Sequence, residues 1–182
     1  MFRSSLKRSI QFLFPCAGEQ QDTFERFPIY IRLYLFYSLV ESYEGTVNKV
    51  SLFDKDVMFL IIFGLRGYKH DLDSQIALRC AAEIRELYQS NPKVLTASIG
   101  VTTGMTYCGV VGHFVRREYS VISVTVNKAA RLMMAYPNKV TCDKDTFMMS
   151  KLDPIHFTLQ EAIELKGLQN VGPIYSFKEI IP

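Results

Sequence analysis

The stretch Tyr119-Ser120-Val121-Ile122-Ser123-Val124-Thr125-Val126-Asn127-Lys128-Ala129-Ala130-Arg131 reads as a strand over 119–122 running directly into a helix. Ser123 can cap that helix, because a serine hydroxyl accepts from a free first-turn amide. Asn127 and Arg131, four residues apart, then stand one above the other on a single face. An amide beside a guanidinium near a helix start suits a polar, anionic ligand. Ala129 and Ala130 are small enough to let another element pack closely. The same spacing also describes an ordinary amphipathic helix whose polar face carries Asn and Arg. Both readings stay open on these residues alone.

Outward from this segment, strands and helices alternate. Residues 9–14 read as a short buried strand stopped by Pro15. Residues 23–43 read as a long helix, in which Pro28 is tolerable only near the first turn. Residues 46–53 and 57–63 form a predicted hairpin around Asp54-Lys55-Asp56. The second of these runs is apolar throughout, as in a central strand covered on both faces. Apolar residues recur at helical spacing over 73–90, ending at Asn91-Pro92. Residues 95–102 alternate as in a half-buried strand, and 104–111 follow as its expected neighbour. After the central segment come a short strand over 139–142, a short helix, and late strands over 157–165 and 174–177. The pattern predicts one α/β domain over 1–182, of ferredoxin-like β-α-β-β-α-β type with additional C-terminal strands and helix.

Composition excludes several classes. The 182 residues suit one domain, and 48% hydrophobic with 21% charged residues is an ordinary globular balance. A net charge of +3 is too small to imply nucleic-acid binding, and no aromatic RNA-binding signature is present. Cys16, Cys80, Cys108 and Cys142 sit singly in apolar segments with no C-x-x-C pair, which fits a reducing cytoplasm. The apolar run 27–40 is interrupted by Arg32 and falls short of the about twenty residues a membrane span needs. A packed core helix is the expectation there.

The central segment resembles the V-N-x-A-A-R signature of class III nucleotide cyclases. Phe59-Leu60-Ile61-Ile62-Phe63-Gly64-Leu65, Ser98-Ile99-Gly100-Val101, Cys108-Gly109-Val110-Val111-Gly112-His113 and Leu165-Lys166-Gly167-Leu168 with Tyr175 follow in that family's order. Asn48-Lys49-Val50, Phe53-Asp54-Lys55, Glu118-Tyr119, Met133-Met134 and Val140-Thr141-Cys142-Asp143 are similar to the second cyclase half of the soluble adenylyl cyclases. The resemblance covers about residues 44–177.

Such cyclases make the 3′-hydroxyl of a nucleoside triphosphate attack its own α-phosphorus, expelling pyrophosphate. The family divides the work between two domains: one holds two metal ions on aspartates, the other recognises the nucleotide. The resemblance implies the second kind. Arg131 would stabilise the transition state, its planar fork matching two phosphoryl oxygens. Asn127 would orient the ribose, and Lys49 would donate to an adenine ring nitrogen. The Ser120 hydroxyl would meet the base edge. Leu52, Phe53 and Val121 complete the implied substrate-binding set. ATP and a metal-binding cyclase half, on the same or another chain, are the implied partners. Mg²⁺ or Mn²⁺ would be held mainly by that partner half.

Departures from the pattern bear on activity. No carboxylate lies in 9–14, where a metal aspartate is expected. Asp54 and Asp56 remain either metal ligands or solvated turn residues. Ser123 stands where the family has glycine, and His113 sits in a Gly-His turn with no second ligand at metal spacing. Two functions follow: half of an adenylyl cyclase, or a degenerate cyclase domain that binds nucleotide or dimerises without catalysis.

Overall fold

The apolar run near residue 60 is strand β3 (Asp56–Ile62), and its two faces enter two different hydrophobic clusters. The computed structural model describes residues 4–6, 26–53, 56–65, 67–89, 97–168 and 170–179. On one side Phe59 and Ile61, with Phe63 beyond the strand, pack against Phe36 and Val40 of helix α1 (Arg26–Ser42) and Ala77, Ala81 and Ile84 of helix α2 (Asp73–Gln89). On the other, Leu60 and Ile62 meet Cys108 and Val121. Burial on both faces is what an unbroken apolar strand requires, since neither face can be left to water. α1 is described from Arg26, and Pro28 lies within it. No helix among the described residues is long and apolar enough to cross a membrane.

The order opens with strand β1 (Ser4–Leu6), α1, strand β2 (Thr46–Phe53), β3, α2 and strand β4 (Ile99–Val101), the expected β-α-β-β-α-β succession. Strands β5 (Thr106–His113) and β6 (Arg116–Ile122), helix α3 (Val124–Ala135), strand β7 (Val140–Asp143), helix α4 (Lys144–Ser150), a 3-10 turn (Pro154–His156) and strands β8 (Phe157–Leu159) and β9 (Ile174–Phe177) follow. β2 and β3 form the predicted antiparallel hairpin, with a register shift at Asn48. The remaining strands pair in the orders β1-β5-β6 and β4-β7-β9-β8. The strand expected over 9–14 and the start of the helix expected from 23 lie outside the described residues; β1 itself, Ser4-Ser5-Leu6, carries no carboxylate.

Four expectations are corrected. β4 is not half-buried: every residue from Ala97 to Thr103 is buried. Its polar positions are covered because each has a partner, Ser98 Oγ accepting from the Asn138 amide at 2.8 Å and Thr102 Oγ1 donating to the Thr125 carbonyl at 2.9 Å. β5 is not β4's neighbour. α3 crosses over β4 and returns the chain as β7, which pairs with β4 in parallel, while β5 turns back on β6 and also pairs with β1. Gly112 and His113 are not a turn but the last pairs of β5 with Arg117 and Arg116, and Phe114-Val115 make the turn. Gly112 has φ +126, and an added Cβ would stand 2.3 Å from the Arg116 carbonyl oxygen, so only glycine fits there. The late strand over 157–165 is only Phe157–Leu159, with one further backbone bond from the Gln160 amide to the Ile174 carbonyl, where β9 begins.

Candidate nucleotide site

α3 is fixed by its first turn, its back and its flank. At the start, Ser123 takes extended angles (φ −165, ψ 167) and its hydroxyl accepts from the Val126 amide at 3.1 Å, the predicted cap. Thr106 donates to the same hydroxyl at 3.3 Å, and Thr125 Oγ1 lies 2.6 Å from it. At the back, Ala129 rests on Gly100: a Cβ there would meet the Ala129 carbonyl oxygen at 2.1 Å. The small residues of the signature therefore serve a close helix–strand approach. On the flank, the Lys128 ammonium is 3.0 Å from Asp143 Oδ2, a carboxylate only 1% exposed.

With those three sides engaged, Asn127 and Arg131 are left exposed on one stripe. Lys49 is also exposed and lies opposite Leu60 across the hairpin, on the face that carries the second cluster. Leu60 and Ile62 pack there with Cys108, Val121 and Val126, so the β2–β3 hairpin, the β5–β6 hairpin and the first turns of α3 converge on one apolar contact. Val121 is part of that contact and is buried. Ser120, next along β6, leaves the strand on the other face; it is half-buried and donates to Glu118 Oε1 at 3.1 Å. The side chains of Leu52 and Phe53 lie outside the described residues. Burial raises the Cys108 thiol, which Tyr119 lowers in part through a hydrogen bond, and burial with the same thiol raises the Tyr119 phenol.

Sequence reading missed the polar residues beneath the site. Asp143 Oδ1 caps α4, accepting from the Thr146 amide at 3.1 Å and its hydroxyl at 2.7 Å. The Thr146 hydroxyl lies 2.9 Å from that of Thr103, which lies 3.1 Å from that of Ser74 at the start of α2. The Asp143-x-x-Thr146 spacing is a helix-start signal that could have revealed the cap. Nothing local announces Lys128 as its partner fifteen residues earlier.

Among the described residues, no group of three or more His, Cys, Asp or Glu side chains could hold a metal ion. The Asp54 residue and the Asp56 side chain lie outside them. The described donors thus do not fit a magnesium or manganese pair.

Comparison with known proteins agrees with this geometry. The family profile of the adenylate and guanylate cyclase catalytic domain matches residues 34–178. Human adenylate cyclase type 10 is 42% identical over 77% of the chain, which spans only 9% of that protein's length. Among solved structures, the adenylyl cyclase CyaB from P. aeruginosa superposes with a TM-score of 0.80 at 20% identity, over 100% of this chain and 98% of that one. The guanylate cyclase domain of RhGC from Catenaria anguillulae, solved in complex with GTP, superposes at 0.77 with 16% identity, over 96% and 98%. The signature helix, the strands that carry it and the profile spanning most of the chain have one common explanation: the chain belongs to the adenylate and guanylate cyclase catalytic domain family.

Proposed function

We propose that this chain is the nucleotide-recognising half of an adenylyl cyclase, forming cAMP and pyrophosphate from ATP when paired with a metal-binding half on the same or another polypeptide. The observation that carries the reading is the α3 surface: Asn127 and Arg131 exposed on one stripe of a helix whose other sides are engaged. Lys49 donates to an adenine ring nitrogen, and the Ser120 hydroxyl, which can donate and accept, meets the base edge once it turns from Glu118 and from the face of β6 away from the apolar contact. Asn127 orients the ribose. The Arg131 fork engages two phosphoryl oxygens as negative charge builds on them. Metal ions, when bound, supply the remaining charge neutralisation. Cys80 and Cys142 are free, buried thiols, which fits a cytoplasmic protein.

A second reading, a degenerate cyclase domain that binds nucleotide or dimerises without catalysis, is favoured by one feature of the sequence: no carboxylate lies in 9–14, where a metal aspartate is expected. Measuring cAMP from the chain alone, and mixed with a metal-binding cyclase half, decides between them. Production well above either half alone is expected. ATP binding without any cAMP from the mixture would favour the regulatory module.

A further inference from the structure

Lys128 stands between the two signature residues and points elsewhere. Successive helix positions turn by about 100°, so Asn127 and Arg131 share a stripe within about 40°, Lys128 lies about 60° beyond Arg131, and Ala129 faces the back. The Lys128 side chain is 17% exposed and ends 3.0 Å from Asp143 Oδ2. That carboxylate cannot swing to follow a moving helix. Its other oxygen is held by the Thr146 amide and hydroxyl, and Thr146, Thr103 and Ser74 continue as a buried hydroxyl chain to the start of α2. Asp143 also ends β7, which is hydrogen-bonded to both β4 and β9. The Ala129–Gly100 contact fixes how close α3 lies to the sheet, Thr102 on the Thr125 carbonyl with the Ser123 cap holds its first turn, and buried Leu132 packs its last turn. A charged tether on the flank, at the position between Asn127 and Arg131, adds the restraint nearest to the two signature side chains.

We propose that Lys128 is a positioning residue, whose ion pair with buried Asp143 sets the rotation of α3 and so the direction in which Asn127 and Arg131 project. For catalysis this rests on the adenylyl cyclase reading above; for the helix itself it does not. Misplacing a reacting group by a fraction of a helix turn weakens the chemical step more than it weakens binding, because geometry matters most at the transition state.

The test has two arms. In the isolated chain, Lys128→Met and the double variant Lys128→Met/Asp143→Asn should both raise amide exchange over α3 about tenfold or more, while Lys128→Arg leaves it near the parent value. The double variant keeps an acceptor for the α4 cap and leaves no lone buried charge, so it guards against a single variant that merely fails to fold. In the mixture with a metal-binding half, Lys128→Met should lower kcat about tenfold with KM changed less than about threefold, Lys128→Arg should restore it, and the loss should largely vanish in an Arg131→Ala background. Unchanged exchange over α3 in the folded double variant overturns the proposal. So does a kcat loss that persists undiminished without Arg131, because Lys128 would then not act through it. If Arg131→Ala itself leaves kcat unchanged, the cyclase reading fails, and the exchange arm still decides the tether.

Discussion

Arg131 and Lys49 are both exposed cations, yet they should fail in different ways when removed. A group that engages charge mainly as the pentavalent phosphorus forms acts on the chemical step. Arg131→Ala in a complementing mixture should therefore lower kcat about a hundredfold or more and change KM little. Base contacts are made before reaction, so Lys49→Ala should chiefly reduce the preference for ATP over GTP. Steady-state kinetics with both nucleotides check the pair, and identical phenotypes would show the roles to be wrongly assigned. The cysteines make a different prediction. Burial pushes the Cys80 and Cys142 thiols far above their ordinary value of 9.0, with nearby Glu83 and Asp143 adding to the shift. Their folded state therefore keeps protons that the unfolded chain gives up. This stabilisation is complete below pH 9.0 and is lost as the pH rises beyond it. Melting temperatures should thus fall above about pH 9. A thiol reagent at neutral pH should reach Cys80 and Cys142 only after denaturant is added.

At the scale of the element, α3 depends on one glycine that is not in it. Gly100→Ala would push a methyl group into the Ala129 carbonyl, a backbone atom that cannot rotate away, so the helix must lift from β4. Such overpacking costs about 1–3 kcal/mol and should show as a lower denaturant midpoint. Ser123→Ala should cost about 1 kcal/mol through loss of the cap, whereas Ser123→Gly, which restores the family's residue, should cost only a few tenths. Much at this scale was legible. The Ser123 cap, the β2–β3 hairpin, α2 and β9 all follow from local patterns of period and capping. What escaped was long-range. Ser98, Gly100 and Thr102 looked like the wet side of β4, because sequence shows a polar atom but not the Asn138 amide, the Ala129 backbone or the Thr125 carbonyl that covers it. The partner of β4 was equally invisible, since the choice of β7 over β5 depends on where α3 crosses. Within the site, the signature stripe was readable, but the Lys128–Asp143 pair joins residues whose separation has no period.

On the scale of the whole molecule, one chain is expected to be half of a working centre. Its exposed apolar surface includes Met134, 66% exposed beside the signature stripe, and Phe114 and Val115, 77% and 76% exposed at the tip of the β5–β6 hairpin. Solvent-facing side chains of this size suit burial against a partner. A second copy of the same chain would duplicate Lys49, Asn127 and Arg131 and would add no carboxylate in 9–14, where a metal aspartate is expected. The pyrophosphate and α-phosphate charge would then stay uncompensated however tightly the copies paired. Purified chain, at concentrations where light scattering shows a dimer and with Mg²⁺ or Mn²⁺ present, should accordingly make almost no cAMP. Adding a metal-binding half should produce turnover that saturates as that half is titrated. Robust cAMP synthesis by the homodimer alone would overturn the division of labour and make Asp54 and Asp56 the first residues to substitute. Asn variants at those two positions would then abolish the activity if they hold the metals, and leave it intact if they are turn residues.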